Sequence, residues 1–299
     1  MFFLISILSA FFYAINGTLL SHFSRRIDPL FVSTLRGIFL IFWMLPLLFF
    51  VDSNEWKMLP EILLPIFLVG FLGSIGFFLF LSAVQFLPIG IAASISSSTR
   101  VFLVFLGGAI FLGDQIHFWQ IVGAILILVA GGFLSMEKFD FAHLKKAKFL
   151  GVSLAIFAAS FAAIWWIFGT KVSREISPFL FAYFGEVGVG IGGIILFAIK
   201  NFFCFLYSPK KRKQLLQISK IDFWKIFFTA STTLIGTGGF FLAAKLGSLG
   251  VASAIGASGI FFSTLLGKIF FNEKLKTTSW IKIMIIVIGI FILFFQKNT

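Results

Sequence analysis

Ten apolar runs, each close to the length a helix needs to cross a bilayer, divide this chain and leave little else. In the first half they cover roughly Phe2–Leu20, Leu30–Val51, Ile62–Leu81, Ile89–Leu112 and Phe118–Ser135. In the second half they cover roughly Leu150–Gly169, Phe179–Ile199, Phe223–Ala244, Leu249–Phe271 and Ser279–Phe295. Charged or polar residues, or Pro with Gly, punctuate most of the gaps. In lipid every backbone donor and acceptor needs an internal partner, so runs of this length fold as helices. The pattern predicts an all-α integral membrane protein. Composition agrees: 60% of the 299 residues are hydrophobic and 12% charged, whereas soluble domains run near half and a quarter. The longest gap, YSPKKRKQLLQISKID (207–222), reads as a basic amphipathic loop.

Several chemistries find no support. The single cysteine, Cys204, rules out an internal disulfide and a cysteine metal site. His22, His117 and His143 lack ligand spacing, so neither metal nor cofactor is expected. No Ser-His-Asp, paired-carboxylate or phosphate-loop arrangement points to a catalytic residue. A polytopic enzyme acting on lipid would need a nucleophile or metal cluster at one interface, and none is visible. GVGIGG (188–193) satisfies the dinucleotide spacing G-x-G-x-x-G but lies inside an apolar run with no strand before it, so close helix packing is the better reading. The net charge of +13 sits mostly in short gaps, where it orients a protein in a membrane rather than binding nucleic acid. MFFLISILSAFF lacks the positive n-region of a signal peptide and reads as a retained first helix.

The chain also repeats itself. SRRIDPLF (24–31) returns as SREISPFL (173–180), LSAVQFLPIGIAASI (81–95) as FLAAKLGSLGVASAI (241–255), and FLGDQI (111–116) as FFNEKL (270–275). The three pairs keep their order and their place within a five-helix unit, dividing the chain into repeats over 1–140 and 150–299. Five crossings is an odd number, so the second unit enters the membrane from the opposite side. Ten transmembrane helices arranged as two inverted five-helix repeats are a common transporter architecture, with the solute held near the midplane between the halves.

With Asn16 in the first run, Arg36 in the second and the junctions AVQFLPIGIAA and AAKLGSLGVAS, the sequence resembles the drug/metabolite transporter superfamily, specifically its ten-helix EamA-type members. The resemblance spans essentially the whole chain. Asp114 and Glu273 stand where that family carries an acidic residue after helices four and nine. Where it usually has a proline in helix four, SSSTRVF stands instead, with Arg100 near the proline's place. The resemblance implies solute movement without ATP hydrolysis, often export of amino acids or related metabolites.

A charge at the bilayer centre costs about 2.5–3.5 kcal/mol on insertion scales and therefore marks function or a buried partner. Arg36, Arg100 and Glu186 stand well inside runs. Arg36 aligns with Gly185, so Glu186 is its neighbour of opposite sign across the repeat; the two form either a buried structural pair or a direct contact with substrate, with coupling and gating as their role in transport, and Glu186 could instead carry a coupling proton. Arg100 is expected to face a polar chamber, with Ser96, Ser97 and Thr99 on adjoining faces. Its planar fork suits a carboxylate or phosphate. Tyr13, Asn16, Trp165 and Trp166 occupy matching depths in helices one and six and could frame the body of a solute. Gln85, the counterpart of Lys245, completes the candidates for substrate binding.

Fifteen basic residues lie in the gaps after helices one, three, five, seven and nine, against five on the opposite side. The positive-inside rule then places both termini outside the cytoplasm; the family resemblance places them inside. The expectation that emerges is a multi-pass protein of the inner (cytoplasmic) membrane, monomeric, with lipid and a small-molecule substrate as partners. It would be a secondary active transporter working by alternating access on an amino-acid-like or anionic-group-bearing metabolite. Uptake or exchange of a nucleoside-type metabolite such as S-adenosylmethionine is the rival within the class.

Overall fold

The computed structural model describes residues 1–87, 89–115, 117–136, 146–207, 218–271 and 277–295. Among these the secondary structure is helical throughout. In the first half α1 is Phe2–Ser24, α2 Pro29–Trp43, α3 Ser53–Phe86, α4 Ile89–Leu112 and α5 Phe118–Met136. In the second half α6 is Lys146–Glu175, α7 Pro178–Tyr207, α8 Lys220–Leu246, α9 Leu249–Ala257, α10 Gly259–Phe271 and α11 Thr277–Phe295. Seven spans are long and apolar enough to cross a membrane by themselves, α9 and α10 counting as one. The shorter apolar helices α2 and α5, with α11, complete the ten expected. This is an all-helical, ten-helix membrane protein.

Local chemistry sets the ends. Asp28 caps α2, its carboxylate accepting from the amides of Leu30 at 3.0 Å and Phe31 at 3.2 Å, and Pro29 fills the first helical position. Asp52 and Glu55 form a capping box at the start of α3. Ser219 caps α8 through the amide of Asp222 at 3.0 Å.

The second and ninth runs depart from the single helices expected of them. The second ends as an α-helix at Trp43 and continues as a 3₁₀ turn, Leu45–Phe50, because Pro46 cannot supply the next ladder amide. The ninth breaks at Ser258, which stands between α9 and α10. The third is longer than its apolar run, starting at Ser53 with Pro60 and Pro65 inside its first part.

The halves are related by a twofold axis. Helix α1 packs along α8 as α6 packs along α3, and α4 meets α6 as the ninth span meets α1. The equivalent helices α2 and α7 meet each other directly, as do α5 and α11. Thr34 bonds the Gly193 carbonyl while Gly37 abuts Gly190, so α2 and α7 run antiparallel. Gly289 abuts Gly123 while Lys282 reaches the Phe133 carbonyl, so α11 and α5 do as well. Equivalent helices can cross antiparallel only about an axis perpendicular to both, which lies in the membrane plane. The second unit is therefore inverted.

Glycines make these crossings close. A Cβ on Gly37 would stand 2.5 Å from the Gly190 Cα, and one on Gly70 would stand 2.8 Å from the Gly185 carbonyl oxygen. The GVGIGG stretch serves two neighbours: Gly188 and Gly192 face α3, and Gly190 and Gly193 face α2. Without a hydrophobic drive between helices in lipid, close approach supplies the dispersion contact that holds them. Many large apolar side chains turn outward, Phe49 at 89%, Ile110 at 72% and Phe157 at 60% exposure, as a lipid-facing surface requires.

Candidate functional site

Between the halves lies a cavity of about 200 Å³, to which every span except α5 and α11 contributes. Small residues create its space: Gly17, Gly73, Gly76, Gly256 and Gly259 all line it. Its lining reaches Phe80 near the end of α3 and Ile89, the first residue of α4. Toward the opposite face it stops at Ser9, Trp166 and Phe240, well short of the helix ends. Behind that floor Phe241 packs edge to face on both Phe181 and the cavity-lining Trp165, with Phe181 and Phe241 fully buried.

That closed face is tied by an ion pair. Arg174, at the end of α6, donates to Asp114 Oδ1 at 2.8 Å and to the Gly247 carbonyl at 3.2 Å. The other carboxylate oxygen of Asp114 accepts from the Leu249 amide at 2.8 Å and from Ser248 at 3.3 Å. One acidic residue after helix four thus joins the ends of α4, α6 and α8 to the start of α9. Glu273 lies outside the described residues, as do many of the basic gap residues behind the orientation argument.

Arg36 and Glu186 meet inside the bundle, Nη1 to Oε2 at 3.4 Å, each 4% exposed. Arg36 also donates to Thr233 at 3.3 Å and lies 4.5 Å over the Phe77 ring. The other oxygen of Glu186 accepts from Thr237 at 2.6 Å, and the Thr237 hydroxyl pairs with Tyr13 at 2.8 Å. Asn16, 3% exposed, directs its amide nitrogen at the Thr229 carbonyl and the hydroxyls of Thr232 and Thr233, at 3.0–3.1 Å. Asn16 lines the cavity but spends its donor on joining α1 to α8.

Arg100 differs. Its guanidinium lies over the Trp166 ring at 4.1 Å, and its Nε is buried without a hydrogen-bond partner. No carboxylate among the described residues forms an ion pair with it. Trp166 in turn packs on Phe240, centroids 3.8 Å apart, and on Tyr13 at 6.2 Å. Ser96 and Ser97 line the cavity beside Arg100, whereas Thr99 is not among its lining residues.

Eight of the nine candidate residues therefore line one chamber: Tyr13, Asn16, Arg36, Ser97, Arg100, Trp165, Trp166 and Glu186. Gln85 does not. It is exposed at the end of α3, where its amide donates to the Ser24 carbonyl at 3.1 Å. Its counterpart Lys245 does the equivalent thing at the end of α8, reaching the Ile176 carbonyl at 2.9 Å. Both tie helix ends together.

Sequence reading missed the ladder Thr229, Thr233 and Thr237 on α8, which connects Asn16, Arg36, Glu186 and Tyr13. The signal was present: hydroxyls four residues apart inside an apolar run share one helix face. Among the described residues there is no group of three His, Cys, Asp or Glu side chains able to hold a metal ion.

Two comparisons bear on these features. The model of the EamA-like transporter family matches residues 1–136 and again 149–295. A solved structure, described only as a crystal structure of a protein, superposes with a TM-score of 0.69 at 14% identity, over 96% of this chain and 94% of the other. At that identity the likeness concerns the fold alone. No curated protein matches the chain.

Proposed function

This chain belongs to the EamA-like transporter family of membrane transporters of small molecules, and we propose that it is a secondary active carrier of a small organic solute bearing an anionic group. The carrying observation is Arg100, a guanidinium without an ion-pair partner that lines the central cavity and lies over Trp166. A permanent charge at this depth is expensive unless something answers it, and a solute's anionic group would do so.

The fold supports alternating access as the mode of transport. The cavity reaches one end of the bundle through the start of α4, while aromatic packing and the Arg174–Asp114 pair close the other. Because the halves are inverted copies, exchanging their conformations would close the first end and open the second. Arg36 and Glu186 join α2 and α7 where the halves cross, and in this reading their contact changes as the halves rock. The cytoplasmic membrane is the proposed location.

Purified protein in liposomes tests the reading. Labelled anionic metabolites should accumulate or exchange in a saturable manner, and Arg100→Gln should reduce the flux by roughly tenfold or more. Absence of saturable flux for every amino acid and small carboxylate supplied would overturn it.

A further inference from the structure

Charge can be summed around the chamber. Among the described residues its lining contains Arg36, Arg100 and Glu186 and no other charged side chain. Arg36 and Glu186 face each other at 3.4 Å, and both Glu186 oxygens are engaged, one by Arg36 and one by Thr237. One positive charge is left over, on Arg100.

A second asymmetry falls at the same level. Arg100 aligns with Gly259 or Ile260 in the other repeat, depending on which flanking block sets the register. Helix α4 runs unbroken through Arg100, but its counterpart is interrupted at Ser258, and α10 begins at Gly259. Gly256, Gly259 and Ile260 line the same chamber as Arg100. The Ser258 carbonyl takes the amides of Phe261 and Phe262 at 2.9 and 3.4 Å, as the start of a new helix requires. A helix start concentrates partial positive charge from its first amides. The same break ends α9, whose last carbonyls carry the opposite partial charge, so the unanswered positive charge of the chamber rests on Arg100.

Among the described residues the chamber offers a cation no free carboxylate. Glu186, the one carboxylate among the described lining residues, is committed, and Trp166, the natural ring for an ammonium, already carries the Arg100 guanidinium. An ammonium brought here would lose its water and gain no counter-charge.

We infer that the solute carries one net negative charge, as a small carboxylic acid with an apolar or planar body, and is neither a zwitterion nor a cation. Its carboxylate would lie on the Arg100 fork, and its body along Trp166 and Tyr13. This deepens the carrier reading and rests on it.

Matched probes separate the two ideas. The purified full-length chain is offered 3-phenyllactate, phenylalanine and phenethylamine, then lactate, alanine and ethylamine. Binding is read by thermal shift and movement by flux into liposomes. Wild type should favour the acids over the amino acids by roughly tenfold or more, and over the amines by more still. Arg100→Lys should retain part of the preference, since it keeps the charge and loses the fork. Arg100→Gln should lose it at unchanged melting temperature without ligand. The ranking within wild type stands as a test even if Arg100→Gln fails to fold. Equal or better handling of phenylalanine or phenethylamine overturns the charge assignment and leaves the carrier reading standing. If none of the six probes binds or moves, both fall.

Discussion

Arg36 and Glu186 are 150 positions apart in the chain yet meet at 3.4 Å in the interior, each on a helix equivalent to the other's under the twofold. One contact thus registers how the two halves are docked. Removing one partner, as in Glu186→Gln, leaves a buried charge unanswered and should cost about 3–5 kcal/mol. The double variant Arg36→Met with Glu186→Leu should recover most of that stability but not transport. Melting temperatures in detergent, beside liposome flux, decide between a structural pair and a moving one: flux that returns with stability makes it structural.

Gly17 lines the chamber, and a Cβ there would meet nothing within 4 Å. Gly17→Leu should therefore fold at least as well as wild type, since replacing a helical glycine usually gains about 0.5–1 kcal/mol. The added side chain fills space the solute needs, so ligand-dependent stabilisation and flux should both disappear. Unchanged flux would place the solute elsewhere.

Gly37 presents the opposite case. Its absent Cβ would fall on the Gly190 backbone at 2.5 Å, and backbone cannot turn aside as a side chain can. Gly37→Ala should separate α2 from α7 and destabilise by about 1–3 kcal/mol. Gly190→Ala should do the same, because its Cβ would lie 2.8 Å from the Gly37 carbonyl oxygen. A lowered melting temperature for both, against none for Gly17→Leu, is the expected contrast.

Asp114 holds the closed face through Arg174 and the start of α9. Asp114→Asn should weaken that closure and raise the population open at this end. A cysteine placed at Ser9, which lines the floor of the cavity, should then react faster with a membrane-impermeant maleimide supplied from the closed side. An unchanged rate would show that the aromatic packing of Trp165, Phe181 and Phe241 suffices as the seal.

Much of this was legible in the residues. Hydropathy counted the spans, the repeated blocks gave the inversion, and the cost of intramembrane charge singled out Arg36, Arg100 and Glu186. What escaped has physical reasons. Hydropathy measures transfer into lipid and says nothing of the hydrogen-bond ladder, so the interruption at Ser258 left no mark on a continuous apolar run. Asn16 looked free to meet a solute because its three acceptors lie more than 200 positions away on α8. Gln85 and Lys245 are aligned across the repeats, yet depth along a helix decides what such a residue can reach. Both stand at helix ends.

Arg100 has no mirror image in the other repeat. Swapping the conformations of the two halves therefore does not regenerate the same chamber seen from behind: the guanidinium and the break at Ser258 trade distances from the two membrane faces. A carrier built this way is expected to show different half-saturation concentrations for loading from its two sides, measurable by running the same flux inward and outward.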